Sequence, residues 1–173
     1  CEIVTDVQGE HADRSIELLV NPKRLSSAAR NIGLKNARGK YVLIVDGHVC
    51  IPSPQMLRRC IELAESNNVR VVGRPQRLIP PGLSRFQRLI AAVRESRIGH
   101  SMESHIYSDS ESLVSPISVA VMYERDLALD VGGFEESFDA AEDLEFNYRL
   151  ERLGEKCLIS PELDVFYYPR ETL

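Results

Sequence analysis

Hydrophobic residues recur along this chain in two patterns, as short runs rich in β-branched side chains and as stripes with helical spacing. Runs of the first kind predict strands, and a spacing of three to four residues predicts amphipathic helices. Strands are predicted at 1–4, 16–20, 41–45, 69–73, 114–123, 156–160 and 165–168, and helices at 28–37, 54–68, 84–98, 125–131 and 140–153. Because strands and helices alternate, the pattern predicts an α/β fold.

The run at 41–45, Tyr-Val-Leu-Ile-Val, is apolar on both faces. Strands buried on both faces are typical of a parallel sheet that helices cover on each side, so we predict a central strand here. Ligands of open α/β sheets bind beyond the carboxyl ends of the strands. Asp46, which follows this run, is therefore the first candidate for function.

Composition narrows the class of protein. The chain has 173 residues and a formal net charge of −5. A chain of this length can form one domain without a disulfide or a metal, and its acidic total argues against a general nucleic-acid binder. It contains no uninterrupted apolar run of about 18 residues, the length needed to span a bilayer.

Positive charge is concentrated between residues 74 and 97, which hold six arginines and one acid. In the predicted helix 84–98, Phe86, Leu89, Ile90 and Val93 have helical spacing, and arginines are predicted on the opposite side. This helix could contact an anionic lipid head group or a polyprenyl diphosphate. The alternative is an ordinary solvated face.

Asp46-Gly47-His48 places a carboxylate and an imidazole two residues apart, on one side of an extended segment. The pair suits Mn²⁺ or Mg²⁺ that bridges a diphosphate, because the carboxylate is a hard oxygen ligand and substrate and water can supply the remaining positions. The alternative is an Asp that begins a turn beside an exposed His. The tripeptide alone favours that alternative.

A second acidic pair, Glu142 and Asp143, lies at the start of the predicted helix 140–153. The predicted apolar stripe of this helix is Phe146, Leu150 and Leu153, and Asp143 lies three residues before Phe146. We therefore predict Asp143 on the core-facing side of the first turn, where it projects into a cleft and suits a general base. The alternative is that both acids only complement the helix dipole.

Two arginines and a glycine pair are further candidates. Arg30, on the predicted helix before Asp46, could reach a nucleotide or a phosphate, or could simply cover surface. Arg149 has helical i, i+4 spacing from Glu145, which predicts a solvated salt bridge. Gly132-Gly133 is either a turn that lets backbone amides approach a ligand or a helix C-cap.

Taken in order, these motifs resemble the family 2 inverting glycosyltransferases, and most closely the ExoA-like branch of succinoglycan and exopolysaccharide synthesis. In that branch the metal motif has the form Asp-Gly-His, and the acidic motif runs on into Asn-Tyr-Arg-Leu, here residues 147–150. The matching segments are Asn21-Pro22, Ala29-Arg30-Asn31-x-Gly33, Ala37-Arg38-Gly39-Lys40-Tyr41, Val45-Asp46-Gly47-His48, Val131-Gly132-Gly133-Phe134-Glu135-Glu136 and Glu142-Asp143.

The resemblance implies a GT-A fold, the Rossmann-like nucleotide-diphospho-sugar transferase architecture with a three-layer α/β/α mixed sheet. It implies that Asp46 and His48 hold a divalent cation, Mn²⁺ or Mg²⁺, and that Asp143 and Glu142 of the acidic motif are the catalytic residues, with Asp143 as the base. Asp6, Arg30 and Asp46 would contact the nucleotide donor. The family's opening strand has no counterpart, so we expect residues 1–173 to be a single domain lacking its first strand and truncated at both ends.

These implications combine into one functional hypothesis. The chain is expected to transfer a hexose from a UDP-sugar to a lipid-linked saccharide at the cytoplasmic face of the inner membrane, with possible peripheral contact through the 84–98 helix. Two alternatives stay open at this point. One is a non-catalytic module that binds sugar nucleotides or saccharides, and the other is an unrelated metal-dependent α/β hydrolase.

Overall fold

Helices and strands alternate along most of this protein in a computed structural model that describes residues 2–47, 49–77, 81–96, 105–117, 119–138 and 140–168. The helices within those ranges are α1 (Glu2–Glu10), α2 (Ser26–Asn36), α3 (Met56–Ser66), α4 (Arg85–Glu95), α5 (Arg125–Asp130) and α6 (Glu142–Arg152), with a 3₁₀ turn at Pro161–Leu163. The strands are β1 (Tyr41–Leu43), β2 (Val49–Cys50), β3 (Val71–Gly73), β4 (Gln76–Arg77), β5 (Ser112–Val114), β6 (Ala120–Glu124), β7 (Cys157–Ile159) and β8 (Val165–Tyr167). The five predicted helices are confirmed as α2 to α6.

Five strands form a mixed sheet in the order β1-β6-β3-β7-β5. β3 and β7 are parallel, whereas β6 is antiparallel to both β1 and β3, and β5 is antiparallel to β7. Since β1 and β3 are both antiparallel to β6, they run in the same direction. Their carboxyl ends therefore meet at one edge of the sheet, which is where the candidate site lies.

Neighbouring residues in the central strands point to opposite faces of the sheet, and each face is covered by its own helices. Val71 and Tyr123 belong to a core that includes residues of α2, α5 and α6. Val72 and Met122 belong to a second core, built with α3 and the 3₁₀ turn. The three-layer α/β/α arrangement with a mixed sheet confirms the predicted fold class.

A smaller sheet joins three further strands in the order β2-β8-β4. β2 and β8 are antiparallel, whereas β4 and β8 are parallel. Pairing with β8 thus brings together the segments that follow β1 and β3, close to the edge of the main sheet where the carboxyl ends of these two strands lie. In the described ranges, none of the helices has the length and apolar character needed to cross a membrane.

Two strands predicted near the N-terminus are wrong. Residues 2–10 form α1, and residues 16–20 lie in neither a helix nor a strand. Leu18 and Val20 are exposed. A β-branched run becomes a strand only where a neighbouring strand satisfies its backbone groups and a second layer buries its side chains, and among the residues described this run has neither.

The predictions for two other strands need correction. β1 is not a central parallel strand: among the described residues it pairs only with β6, in antiparallel register, and its side chains are half-buried. The single strand predicted at 114–123 is two strands, because Pro116 lies between β5 and β6 and its carbonyl accepts the Ala120 N–H in a turn. Proline cannot donate to a strand ladder, so the apolar run is divided at this point.

The buried face of α4 also differs from the prediction. Leu89 is 62% exposed and Val93 is 55% exposed, whereas Gln87 and Ala91 are buried. Gln87 is held inward by a capping box, in which it exchanges hydrogen bonds with Ser84. Part of the apolar stripe therefore faces outward. The end of the predicted helix, residues 97–98, lies outside the described residues.

Candidate active site

The polar residues that follow β1 and β3 meet side chains from two helices around one cavity. We define the charged cleft by six of its lining residues, namely Arg30, Asp46, Arg74, Tyr123, Phe134 and Asp143. Asp46 and Arg74 come from the carboxyl ends of the two strands, Arg30 comes from α2, and Asp143 comes from the first turn of α6. The sequence-predicted residues Arg30, Asp46 and Asp143 are thus brought together.

Arg30 connects the two acidic motifs. Its Nη1 lies 2.8 Å from Oε1 of Glu142, and its Nη2 lies 3.5 Å from Oδ1 of Asp46. The guanidinium also lies over the Phe134 ring, 5.4 Å from its centroid. Ser26 donates a second contact to Glu142, at 2.5 Å. Arg30 therefore orients carboxylates that are far apart in sequence, rather than covering surface.

Asp143, at the start of α6, does not lie on the side of the helix where it was predicted. Glu142 is buried and faces Arg30, whereas Asp143 is exposed at the cleft rather than packed on the core-facing side. The buried residues of this helix are Glu142, Phe146, Asn147 and Leu150, so the buried row that includes Phe146 begins at Glu142, and Leu153 is exposed. Counting back three residues from Phe146 instead of four produced the error.

Asp143 nevertheless reaches the cavity. One of its carboxylate oxygens accepts the backbone N–H of Leu144 at 2.9 Å, and the residue lines the charged cleft. In the part of the chain that the structure describes, no cation forms an ion pair with it. An exposed carboxylate at a cleft wall, without such a partner, has an oxygen available to accept a proton.

The turn at Gly132-Gly133 is fixed from two sides and carries Phe134 into the cleft. Asn31 accepts the Phe134 N–H at 2.7 Å and donates to the Phe134 carbonyl at 2.7 Å. Arg149 donates to the carbonyls of Val131 and Gly133, both at 2.6 Å. The predicted ion pair of Arg149 with Glu145 is confirmed, but it is half-buried and helps to hold this turn rather than being merely solvated.

Gly133 has a direct structural reason to be glycine. Its φ is +71°, and a Cβ added there would lie 2.5 Å from Oδ1 of Asn31. The same hydrogen-bonded network reaches Glu136, whose pKa is lowered by the hydrogen bond from Asn31 and by Lys23. The segment therefore supports the wall of the charged cleft through Asn31 rather than offering its own amides to a ligand.

Tyr123 forms another part of the wall. Its hydroxyl lies 3.0 Å from Oδ1 of Asn147 and 2.9 Å from the carbonyl oxygen of Ala120. Burial raises the pKa of Tyr123 well above its ordinary value. The hydroxyl is therefore neutral at physiological pH and contributes no charge to the cleft.

Arg74 is the functional candidate that the sequence analysis missed. It is 2% exposed, and its Nε and Nη1 have no hydrogen-bond partner in the described part of the chain. Burial lowers the pKa of Arg74, while the charge of Asp46 acts in the opposite direction. The available signal was its position, because Arg74 follows the buried run Val71-Val72-Gly73 just as Asp46 follows the β1 run. Grouping it with the arginines of 84–98 concealed this.

One predicted residue, Asp6, does not line the cleft, and a second, His48, is not among the residues that the structure describes. Asp6 is exposed on α1 and is not among the lining residues. His48, the predicted second metal ligand, lies outside the described residues. Of the two predicted metal ligands, Asp46 is therefore the one that the described residues include.

The surroundings of Asp46 fit a divalent cation that is shared with a substrate. No group of three or more His, Cys, Asp or Glu side chains is arranged for a metal among the residues described. Asp46 is half-exposed toward the cleft and is followed by Gly47, so its carboxylate is accessible. Mg²⁺ beside phosphates is usually held by one or two carboxylates together with phosphate oxygens and water, and Asp46 matches that donor set.

The fold and this cleft define a three-layer α/β domain with charged residues at the carboxyl ends of its strands, and comparison with known families gives the family assignment. The sequence profile described as "Glycosyltransferase like family 2" matches residues 1–173. The chain belongs to this family. The predicted resemblance is thereby confirmed, and an unrelated metal-dependent hydrolase is no longer a suitable alternative.

Two curated relatives are similar to this chain. The succinoglycan biosynthesis protein ExoA of Rhizobium meliloti (strain 1021) is 29% identical over 93% of this chain and 48% of its own length. A dolichyl N-acetyl-α-D-glucosaminyl phosphate 3-β-D-2,3-diacetamido-2,3-dideoxy-β-D-glucuronosyltransferase of Methanococcus voltae is 27% identical over 99% of this chain and 54% of its own length. The chain thus spans about half the length of the curated relatives it matches.

Solved structures show the same fold. A mannosyltransferase of Pyrobaculum calidifontis, solved in complex with GDP-Man and Mn²⁺, superposes with a TM-score of 0.70 at 18% identity, over 98% of this chain and 44% of that protein. TarS (residues 1–349) of S. aureus gives a TM-score of 0.66 at 15% identity, over 96% of this chain and 48% of that protein. The fold is therefore of the GT-A type.

Proposed function

We propose that this chain is the catalytic domain of an inverting glycosyltransferase. It transfers a hexose from a UDP-sugar to a lipid-linked saccharide during exopolysaccharide assembly. The observation that carries the proposal is the convergence of Asp46, Arg30 and Asp143 on one cleft at the carboxyl ends of β1 and β3. The similarity to ExoA and to an archaeal transferase named for a dolichyl-linked acceptor supports the acceptor class.

Asp143 is the proposed general base. The acceptor hydroxyl gives its proton to a carboxylate oxygen of Asp143 while the hydroxyl oxygen forms a bond to the anomeric carbon. The bond between that carbon and the UDP oxygen breaks, and its electron pair leaves with the diphosphate. A single displacement of this kind inverts the anomeric configuration, and a positioned base contributes about 10² to 10⁴-fold to such a step.

Asp46, together with His48 by resemblance, is proposed to hold Mn²⁺ or Mg²⁺. The cation, when bound, supplies positive charge that neutralises the leaving diphosphate. Arg30 acts as a positioning residue, because its guanidinium contacts both Glu142 and Asp46. The buried Glu142 anchors Arg30 and leaves Asp143 as the carboxylate that faces the substrate.

The outer face of α4 is the proposed contact with the membrane that carries the acceptor. Leu89 and Val93 are exposed one turn apart, and Arg85 and Arg88 are exposed beside them. Apolar side chains flanked by arginines suit the boundary of an anionic bilayer, where each basic residue contributes about 1 kcal/mol. We place this surface at the cytoplasmic face of the inner membrane.

A donor screen tests the proposed function. The chain is incubated with Mn²⁺ and individual UDP-hexoses or GDP-hexoses, and release of the nucleoside diphosphate is measured with and without a lipid-linked acceptor. The proposal predicts UDP release that the acceptor stimulates. Release of GDP alone would show that the donor is a GDP-sugar and not a UDP-sugar. Tight UDP binding without turnover would favour the non-catalytic binding module.

Vesicle sedimentation tests the membrane contact separately. The chain is expected to sediment with phosphatidylglycerol vesicles and not with phosphatidylcholine vesicles, and Leu89→Asp is expected to abolish that sedimentation. Leu57→Asp is the matched control, because Leu57 is a similarly exposed leucine on α3. Equal sedimentation of all three proteins would contradict the proposed surface.

A further inference from the structure

Arg74 is a buried cation, and two of its three side-chain nitrogens have no hydrogen-bond partner among the described residues. It is 2% exposed, and its Nε and Nη1 are buried without a hydrogen-bond partner. A guanidinium in such a position has lost its water without gaining a protein acceptor, which is costly. Buried polar groups that remain unpartnered in a native structure are uncommon and point to a ligand or a strained functional site.

The backbone around Arg74 fixes the direction of its side chain. A Cβ added to the preceding Gly73 would lie 2.8 Å from both Sγ of Cys157 and the carbonyl oxygen of Val119, so only glycine allows this close approach of β3 to its neighbours. The backbone N–H of Arg74 donates to the same Val119 carbonyl at 3.2 Å, and Pro75 follows, fully buried. Arg74 is therefore held at the wall of the charged cleft.

The charges around Arg74 leave it available for an anion. The other cation of the cleft, Arg30, already contacts Asp46 and Glu142. Asp46 is the acid whose charge acts on Arg74, and the proposed function assigns the carboxylate of Asp46 to a divalent cation. A divalent cation held by Asp46 would offset the charge of that carboxylate, and an anionic group of a substrate would then supply the counter-charge of the Arg74 guanidinium.

From these observations we propose that Arg74 binds an anionic oxygen group of a substrate, a phosphate or a carboxylate, through Nε and Nη1. A guanidinium presents its donors in a planar fork that matches two oxygens of such a group. β1 and β3 are separated by one strand, so their ends lie on the order of 10 Å apart. A ligand between them can contact Asp46 on one side and Arg74 on the other.

The anionic group has two possible sources, and both belong to the same chemistry. It is either the diphosphate of the donor or an anionic group on the acceptor. This inference rests on the proposed function in assuming that a substrate occupies the cleft. Its test uses a small anion, so that it can succeed or fail independently of sugar transfer.

The experiment is a calorimetric titration of the chain with inorganic pyrophosphate, and with UDP plus Mn²⁺. The variant is Arg74→Gln, and Arg58→Gln, which changes an exposed arginine on α3, is the control. We expect Arg74→Gln to weaken pyrophosphate binding at least tenfold and Arg58→Gln to leave it unchanged. A parallel loss of UDP affinity assigns the anion to the donor, whereas unchanged UDP affinity assigns it to the acceptor.

Thermal unfolding separates binding from structure. Because Arg74→Gln removes an unpaired buried charge, its melting temperature is expected to equal or exceed that of the wild type. If the glutamine variant does not fold, Arg74→Lys takes its place. This variant keeps the positive charge but loses the planar guanidinium, and it is expected to bind pyrophosphate at least threefold more weakly than the wild type.

Equal pyrophosphate binding by the wild type and the folded Arg74 variant, or binding by neither, would overturn the inference. Arg74-dependent pyrophosphate binding without any release of nucleoside diphosphate from sugar nucleotides would instead overturn the proposed function alone.

Discussion

In the charged cleft, Arg74 is buried with two unpartnered nitrogens, whereas on the outer surface Lys40 meets Glu65 at 2.7 Å with both side chains about half exposed. The surface pair is complete but solvated, so it contributes little to stability. The cleft holds its charges at a cost in desolvation and leaves some of them without partners. The difference supports the proposal that a ligand binds the cleft charges, whereas the surface charges are already satisfied by each other and by solvent.

Replacing the proposed base is expected to produce the largest effect. Asp143→Asn should lower the rate of transfer about 10² to 10⁴-fold, because the amide cannot accept the acceptor proton. UDP affinity and the melting temperature should not change, since Asp143 is exposed and makes no ion pair within the described ranges. Steady-state kinetics and calorimetry measure these quantities.

Asp126→Asn, which alters an exposed aspartate on α5, is the control for this variant and should behave as the wild type. Transfer at the wild-type rate by Asp143→Asn would exclude Asp143 as the base. Loss of UDP binding would indicate that Asp143 shapes the cleft instead.

The buried ion pair of the cleft should matter more for folding than a surface pair of similar geometry. Arg30→Gln leaves Glu142 buried without its cation, and we expect the free energy of unfolding to fall by about 3 kcal/mol. Arg38→Gln removes an exposed pair with Glu17 and should change it by less than ~0.5 kcal/mol. Urea denaturation measures both, and similar losses would contradict the comparison.

The turn beside the cleft extends the comparison to the backbone. Gly132→Ala and Gly133→Ala both place a side chain at positive φ, which costs about 1 to 2 kcal/mol. Nothing lies within 4 Å of a Cβ at Gly132, whereas at Gly133 the Cβ would meet Oδ1 of Asn31. Gly133→Ala should therefore be the more destabilising by about 1 kcal/mol, the worth of the Asn31 hydrogen bond. Equal unfolding free energies would show that Asn31 moves freely.

The smallest effect is expected at the surface pair. The hydrogen bond from Lys40, with one from Tyr41, lowers the pKa of Glu65. A lowered carboxyl pKa adds stability above the unfolded-state pKa, and this contribution disappears as the pH falls through the folded-state pKa. Glu65→Gln should therefore be slightly less stable than the wild type at pH 7 and equally stable once the pH is below the folded-state pKa of Glu65. A difference that grows on acidification would reverse the sign of this interaction.

The layers of the fold could be predicted because helical spacing and apolar runs report burial. The helices α2 to α6 and the apolar run that contains β3 were correctly predicted for that reason. Strand pairing could not be predicted in the same way, since the apolar character of 41–45 does not show whether its neighbour is parallel or antiparallel. β1 is accordingly an edge strand with an antiparallel partner.

Residues of the candidate site could be predicted where an acidic residue follows an apolar run or lies at the start of a helix. Asp46 was identified by its place after an apolar run, and Asp143 by its place in the acidic motif. The side of α6 on which Asp143 lies was predicted wrongly, because the predicted helical phase differs from the observed one by one residue, and Glu142 is the buried acid. Arg74 was missed because charge clustering along the sequence does not distinguish a buried arginine from exposed ones.

The central claim is that the charged cleft binds a nucleoside diphosphate with a divalent cation at Asp46. The most direct measurement is calorimetric titration of the chain with UDP in the presence and absence of Mn²⁺, repeated with Asp46→Asn. The account predicts that Mn²⁺ strengthens UDP binding to the wild type and has no effect on UDP binding to Asp46→Asn. An equal response to Mn²⁺ in both proteins, or no UDP binding under any condition, would contradict it.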